Sequence, residues 1–206
     1  MTVIMQRVKP VDGVEAMGHS QAEKVASRER ILAVAAARIR AEGLESISVG
    51  KLMAEAGLTH GGFYGHFESR ADLLAQALER ALVDGEGGAR AAAHESDRPG
   101  GFARFVRSYL SRAHRDAPER GCAISALACD VGRADDACRE AMAAHIEGFI
   151  AGMTRSLDGD EGKAMAAVSA MVGALALSRV LPDPKRSDAI LRAAREMVTG
   201  LEISPR

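Results

Sequence analysis

Tryptophan is absent from this 206-residue chain, tyrosine occurs twice, and aromatic residues make up only 3%. A core without large rings must be filled by Ala, Leu, Met and Val. Few β-branched alternations occur, which argues against a sandwich or barrel, and the chain reads as all-α. Charge of one sign is also lacking: 27 basic residues stand against 28 acidic ones, a formal charge of −1. That excludes a globally basic polyanion binder, so any nucleic-acid contact has to be local. Cysteine is scarce, and Cys122, Cys129 and Cys138 form no CxxC or metal-ligand pattern. On one helix, Cys122 and Cys129 would share a face about 10 Å apart along the axis, too far for an unstrained disulfide. Three free thiols fit a reducing cytoplasm. There is no run of about 18 apolar residues and no basic start leading into an apolar segment, so a cytoplasmic, soluble protein without a membrane partner is expected. Catalytic signatures are missing as well. No HExxH, GxSxG or P-loop is present, His94, His114 and His145 are scattered, and Asp130, Asp135 and Asp136 read as helix caps. The expectation is no enzyme, no cofactor and no metal.

What is present begins with Ser48 to Phe67, SVGKLMAEAGLTHGGFYGHF, which reads as two short helices joined by a glycine turn. Ser48 is placed to cap the first helix, and Leu52, Met53 and Ala56 repeat at helical spacing. Gly57 falls where that helix must stop, since glycine adopts the left-handed conformation at low cost. Thr59 is placed to start a second helix carrying His60, Tyr64 and His66. A short exposed helix held by a preceding one suits the major groove of DNA. Before it, Ile31, Leu32, Val34, Ala35, Ala36, Ile39 and Leu44 predict a long helix starting near residues 23–27 and stopping at Gly43. After it, Ser69 with Asp72 predicts a capping box for a helix striped by Leu73, Leu74, Ala77, Leu78 and Leu82. Phe63 and Phe67, four apart, read as core anchors.

The ordered combination of RERIL, an alanine-rich helix, an EGLE turn, AGLTHGGFYGHF and ADLL makes Arg28 to Leu82 resemble the DNA-binding domain of the TetR/AcrR family of transcriptional regulators. The resemblance implies a three-helix helix-turn-helix domain followed by a helical ligand-binding and dimerisation domain. It puts Thr59, His60, Gly61, Gly62, Tyr64, Gly65 and His66 on or beside the DNA-reading element, with Ser48 and Lys51 on the helix before it. Tyr64 and His66 match positions that touch the DNA backbone, and Arg70 stands where a phosphate-reaching lysine is usual. Double-stranded operator DNA is the implied partner. Residues 20–80 hold eight Lys/Arg and eight Asp/Glu, so a positive face must come from arrangement rather than from excess charge.

The expected organisation is an arm at 1–19, the helix-turn-helix domain at 20–82 and the effector-binding and dimerisation domain at 83–206. Arg7 and Lys9 lie in the arm, and Met17 is an alternative start. GEGGARAAAHESDRPGG, from Gly85 to Gly101, reads as a break ending the preceding helix near residues 84–88. By resemblance the remaining helices enclose an unidentified small-molecule effector, with Phe105, Tyr109, Cys122, Leu127, Met142, Ile146, Phe149 and Met171 as the candidate lining. The last two helices are expected to form a homodimer. Ala164, Ala167, Val168, Met171, Leu175 and Ser178 make one apolar stripe, and Ile190, Leu191, Ala194, Met197, Val198 and Leu201 make another. The expected function is a repressor released from its operator by that effector. Two alternatives stand beside it: a regulator sensing oxidants or electrophiles through Cys122, which sits at a helix start next to Arg120, and an all-helical enzyme or ligand carrier.

Overall fold

The computed structural model describes residues 13–96 and 100–202, with no strand among them. Nine α-helices are described: α1 (Gly13–Glu42), α2 (Val49–Glu55), α3 (Arg70–Ser96), α4 (Gly101–Tyr109), α5 (Arg112–Arg115), α6 (Ala123–Val131), α7 (Asp136–Ser156), α8 (Glu161–Val180) and α9 (Pro184–Thr199). Three 3₁₀ turns, Leu44–Ser46, His60–Gly65 and Pro118–Arg120, stand between them. The glycine punctuation behaves as its chemistry requires. Gly43 (φ 89°) and Gly57 (φ 74°) both take the positive φ that stops a helix. Ser69 caps α3 as predicted, accepting Asp72 N–H at 3.0 Å, while Asp72 Oδ2 accepts from Glu68 N–H at 3.0 Å, one residue before the cap, so the reciprocal bond of the predicted capping box is shifted by one.

Three expectations are corrected. Helix α1 starts at Gly13, inside the segment read as an arm, so Met17 lies within a helix; residues 1–12, with Arg7 and Lys9, lie outside the described residues. Helix α3 runs to Ser96, through the glycine-rich stretch read as a break, so the boundary at residue 82 falls inside a helix. Tertiary packing overrides propensity here. A Cβ on Gly85 would stand 3.0 Å from Gly121 O and 3.2 Å from Ala123 N, so a glycine lets α3 lie directly on the backbone leading into α6. Finally, the first apolar stripe of α8 faces the protomer's own core: Ala164, Ala167, Val168, Met171, Leu175 and Ser178 are all buried. The apolar residues that α8 leaves exposed lie on its other side, at Met165, Leu177 and Val180. Helix α8 is long and apolar enough to cross a membrane by length and composition, but its inner stripe is packed against the body.

Head and body share one continuous core, from Ile31, Ile39, Leu52 and Phe67 through Leu78 and Leu82 to Leu110, Leu127, Met171 and Leu175. Polar links reinforce it. The Arg40 side chain is 4% exposed, donating through Nε and Nη2 to Glu119 O (2.8 and 2.6 Å) and through Nη1 to Ala81 O (3.0 Å), with Asp84 Oδ2 at 3.7 Å. One residue of α1 thereby ties down α3 and the 118–120 turn. From the body, Asp130 Oδ2 at the end of α6 accepts Leu44 N–H at 3.1 Å. Asp130 was read as a helix cap, and its acceptor is instead spent on the head. Asp135, Asp160 and Asp183 do cap, accepting from Cys138, Lys163 and Lys185 N–H respectively.

His114 organises the start of α6. Tyr109 O can only accept, so Nδ1–H donates to it at 2.7 Å, while Cys122 N–H can only donate, so Nε2 accepts from it at 2.9 Å. The neutral ring is the form that fits. Burial depresses the His114 pKa, opposed by the Tyr109 carbonyl and reinforced by Arg179.

Two outcomes are expected. Asp130→Ala strands the Leu44 N–H and lowers stability by about 1–3 kcal/mol, while Asp130→Asn, which keeps an acceptor oxygen, loses less; urea unfolding midpoints measure both. Because the folded-state pKa of His114 lies below its unfolded value, its contribution is complete above about pH 6.5 and falls away as the pH drops from there toward the depressed folded value. His114→Gln should flatten that part of the stability–pH curve, and an unchanged slope would refute the assignment.

Candidate nucleic-acid interface and effector region

The DNA-reading candidate is built on two rings. Phe63 and Phe67 are each 2% exposed, with centroids 5.6 Å apart, and they anchor the 60–65 turn to the core. Tyr64, between them, is turned outward and 76% exposed, its ring edge-on to Phe63 at 5.2 Å. Six residues containing three glycines form a 3₁₀ turn here rather than the expected α-helix, with Gly62 N–H donating to Thr59 O at 3.0 Å and His66 N–H to Phe63 O at 2.9 Å. Ser48 and Thr59 occupy the N-cap positions of α2 and of this turn, but neither side chain makes the capping hydrogen bond, a correction to both assignments. Both residues are exposed, as are Lys51, His60, Gly61 and Gly65.

His66 closes the turn with its ring partly buried. Desolvation lowers its pKa, and Lys24 and Arg28 lower it further. Those two cations mark the positive edge of α1. Arg28 also lies over the Phe67 ring, 5.4 Å from its centroid, and hydrogen-bonds Gln76. Arg70 is less free than the sequence suggested. Its Nη2 pairs with Glu45 at 3.1 Å and its Nε donates to Ile47 O at 3.4 Å. A phosphate there would have to compete with Glu45.

Glycine at two positions has no internal reason. A Cβ on Gly61 or Gly65 would meet nothing within 4 Å, whereas one on Gly62 would touch Met53 Cε at 3.6 Å. The fold has room for side chains at Gly61 and Gly65.

The eight residues proposed to line an effector pocket divide differently. Phe105, Tyr109 and Phe149 form a ring cluster with centroids 5.8–6.0 Å apart; the Tyr109 hydroxyl is buried without a hydrogen-bond partner, and Cys122 lies near enough to act on it electrostatically. Burial raises the Tyr109 pKa well above its ordinary value, with Cys122 adding to the shift. Leu127 and Met171 are fully buried, Met142 is 3% exposed, and Ile146 and Phe149 are partly buried against the same core. A cleft of about 600 Å³ lies elsewhere, between α1, the 118–120 turn, α6 and the α8–α9 junction, and none of the eight lines it. The sequence reading missed this cleft. No local motif marks its arginines, Arg40, Arg115 and Arg179.

Comparison with known proteins follows this geometry. Residues 31–77 match the family model of bacterial regulatory proteins, tetR family. No curated protein sequence matches the chain. Among solved structures, reduced NemR of E. coli superposes with a TM-score of 0.69 at 20% identity, over 87% of this chain and 98% of that one. A TetR transcriptional regulator from Chloroflexus aurantiacus gives 0.70 at 23% identity, over 86% and 96%. The multidrug binding protein EbrR complexed with proflavin gives 0.56 at 23% identity, over 85% and 99%. At these identities the structures establish the fold, and the domain match covers the segment that carries Tyr64 and both anchoring phenylalanines. The N-terminal segment thus matches the tetR-family domain, and the rest of the chain continues a fold shared along nearly its whole length with TetR transcriptional regulators of known structure.

Proposed function

We propose that this regulator is a cytoplasmic homodimer that reads two half-sites of an operator as a repressor and is released by a small-molecule effector. The observation that carries the DNA-reading part is the outward Tyr64 on a turn whose flanking Gly61 and Gly65 leave open surface. A phenol tip on a rigid base suits a phosphate oxygen, and bare glycine backbone allows close approach of the duplex. Lys24, Arg28 and Lys51 supply local positive charge to a chain that is close to neutral. Exposed Met165 and Leu177 on α8 and Met197 on α9 supply an apolar face on the last two helices for a second copy.

The effector part rests on continuity between body and head. Leu44 is held by Asp130 of α6, and Arg40 by Glu119 O, so a ligand that moves α6 or the 118–120 turn acts directly on the segments behind the reading turn. An effector favouring the state that binds DNA poorly must weaken operator affinity by the same coupling free energy, typically about 1–3 kcal/mol. EbrR, one of the structural neighbours, binds proflavin, which supports a small molecule as the input.

The thiol reading is a second one, favoured by the place of Cys122 near Tyr109 and Arg179, on both of which it acts electrostatically. Cys122 is only 8% exposed, and burial, aided by Asp135, pushes the Cys138 thiol up to about 11, leaving Cys129 as the exposed thiol. This reading predicts that oxidant lowers operator affinity in the wild type and has no effect in Cys122→Ser. Equal responses in the two proteins would remove it.

Fluorescence anisotropy against duplexes tiling the DNA around the protein's own gene tests the main reading. Tyr64→Ala with His66→Ala should abolish selective binding. Gly65→Ala is the sharper variant. It should leave thermal stability unchanged or raise it by about 0.4–1 kcal/mol, yet weaken operator binding severalfold, and wild-type affinity in Gly65→Ala would show that the duplex does not approach this backbone.

A further inference from the structure

The cleft at the head–body junction contains a guanidinium whose charge the protein does not neutralise. Arg40, in its wall, is saturated by two backbone carbonyls and Asp84. Arg115 pairs with Asp116 and Asp188 at 2.6 and 2.9 Å. Arg179 differs. Its Nε donates to Arg115 O (3.2 Å), Nη1 to Ser125 Oγ (3.3 Å) and Nη2 to His114 O (3.1 Å), all uncharged acceptors, and among the described residues no carboxylate lies within 4.0 Å of it. Glu119, the acid that acts on it electrostatically, is itself paired with Arg120 at 3.3 Å. The neutral acceptors fix the fork rigidly in a partly desolvated place, where an added anion gains more than it would in water. Gly121 makes the space: a Cβ there would stand 2.8 Å from Arg179 Nη2.

We propose that this cleft binds a small organic carboxylate, with its carboxylate on Arg179 and its apolar body against Ala126, Leu181, Pro118 and Pro184. A cleft of about 600 Å³ accommodates such a molecule. A single unneutralised cation, with Asp116 also on the lining, selects a monoanion over a phosphate dianion. The occupant would touch Arg40 and Ala41 at the end of α1 as well as α6 and α8, and so would contact head and body at once. The binding claim stands on the cleft alone; its regulatory consequence rests on the effector reading proposed above.

The test is calorimetric titration of the full-length protein with benzoate and hexanoate, each against its neutral amide, at up to about 10 mM. Arg179→Met serves as one variant. Because it also removes three internal hydrogen bonds, Pro184→Glu is the second: it sets a carboxylate at the exposed first turn of α9, where an acid is compatible with the helix. Carboxylates should bind while the amides do not, with affinity lost at least about tenfold in Arg179→Met and reduced severalfold in Pro184→Glu. Equal heats for acid and amide, affinity unchanged in both variants, or no binding of either acid, including the case in which a second copy covers the cleft, would overturn the site. Anisotropy of the protein on its operator, with and without benzoate, reads regulation separately. Carboxylate binding that leaves operator affinity unchanged would keep the site and dismiss its role as the effector site.

Discussion

The junction between head and body depends on one buried cation. Arg40 lies on α1, the helix that forms the back of the DNA-reading head, and its guanidinium is spent on Ala81 O of α3 and Glu119 O of the body. Burial pulls its pKa down, and Asp84 is the main group opposing the shift. Removing a partner from so buried a charge would be costly, since the carbonyls would lose their donors and water could not readily replace them. The head is therefore not a module on a flexible tether. Its position is set by the same hydrogen bonds that hold the 118–120 turn.

A rigid junction changes what an effector must do. Because α3 is continuous from the end of the reading motif to Ser96, and Gly85 brings it onto the backbone at Gly121, a shift of α6 cannot be absorbed by a loose linker. It passes either into α3 or through Asp130 into the Leu44 turn. Both routes end behind α2 and the 60–65 turn. Coupling of this kind needs only two packings of comparable free energy, and in the proposed homodimer displacements at the junction would change the separation of the two reading heads.

How much of this was legible in the sequence follows from the range of the interactions. The head was readable because its determinants are local: Gly57 stops α2, Ser69 and Asp72 cap α3, and Phe63 and Phe67 bracket an outward Tyr64 within five residues. The 3₁₀ character of the reading turn and the idle hydroxyls of Ser48 and Thr59 were not, since several backbone and side-chain solutions satisfy so short a segment. The length of α3 was hidden by its glycines, which argue against helix locally and are retained for a contact 36 residues away in sequence at Gly121. The two faces of α8 were misassigned for a different reason. A helix apolar nearly all round carries no sign of which stripe meets its own core and which meets a partner.

Arginine was the least legible residue type. A sequence with as many acids as bases suggests that its arginines are ordinary surface charges, yet Arg40, Arg115 and Arg179 are drawn into the body within one cleft. Two of them are neutralised or saturated by the chain, and the third is not. Fixing a guanidinium with neutral carbonyls sacrifices solvation without recovering the full Coulomb energy of an ion pair. A carboxylate brought in from outside recovers it, and it does so where α1, α6 and α8 meet. That imbalance of charge is what would make the junction sensitive to a single small anion.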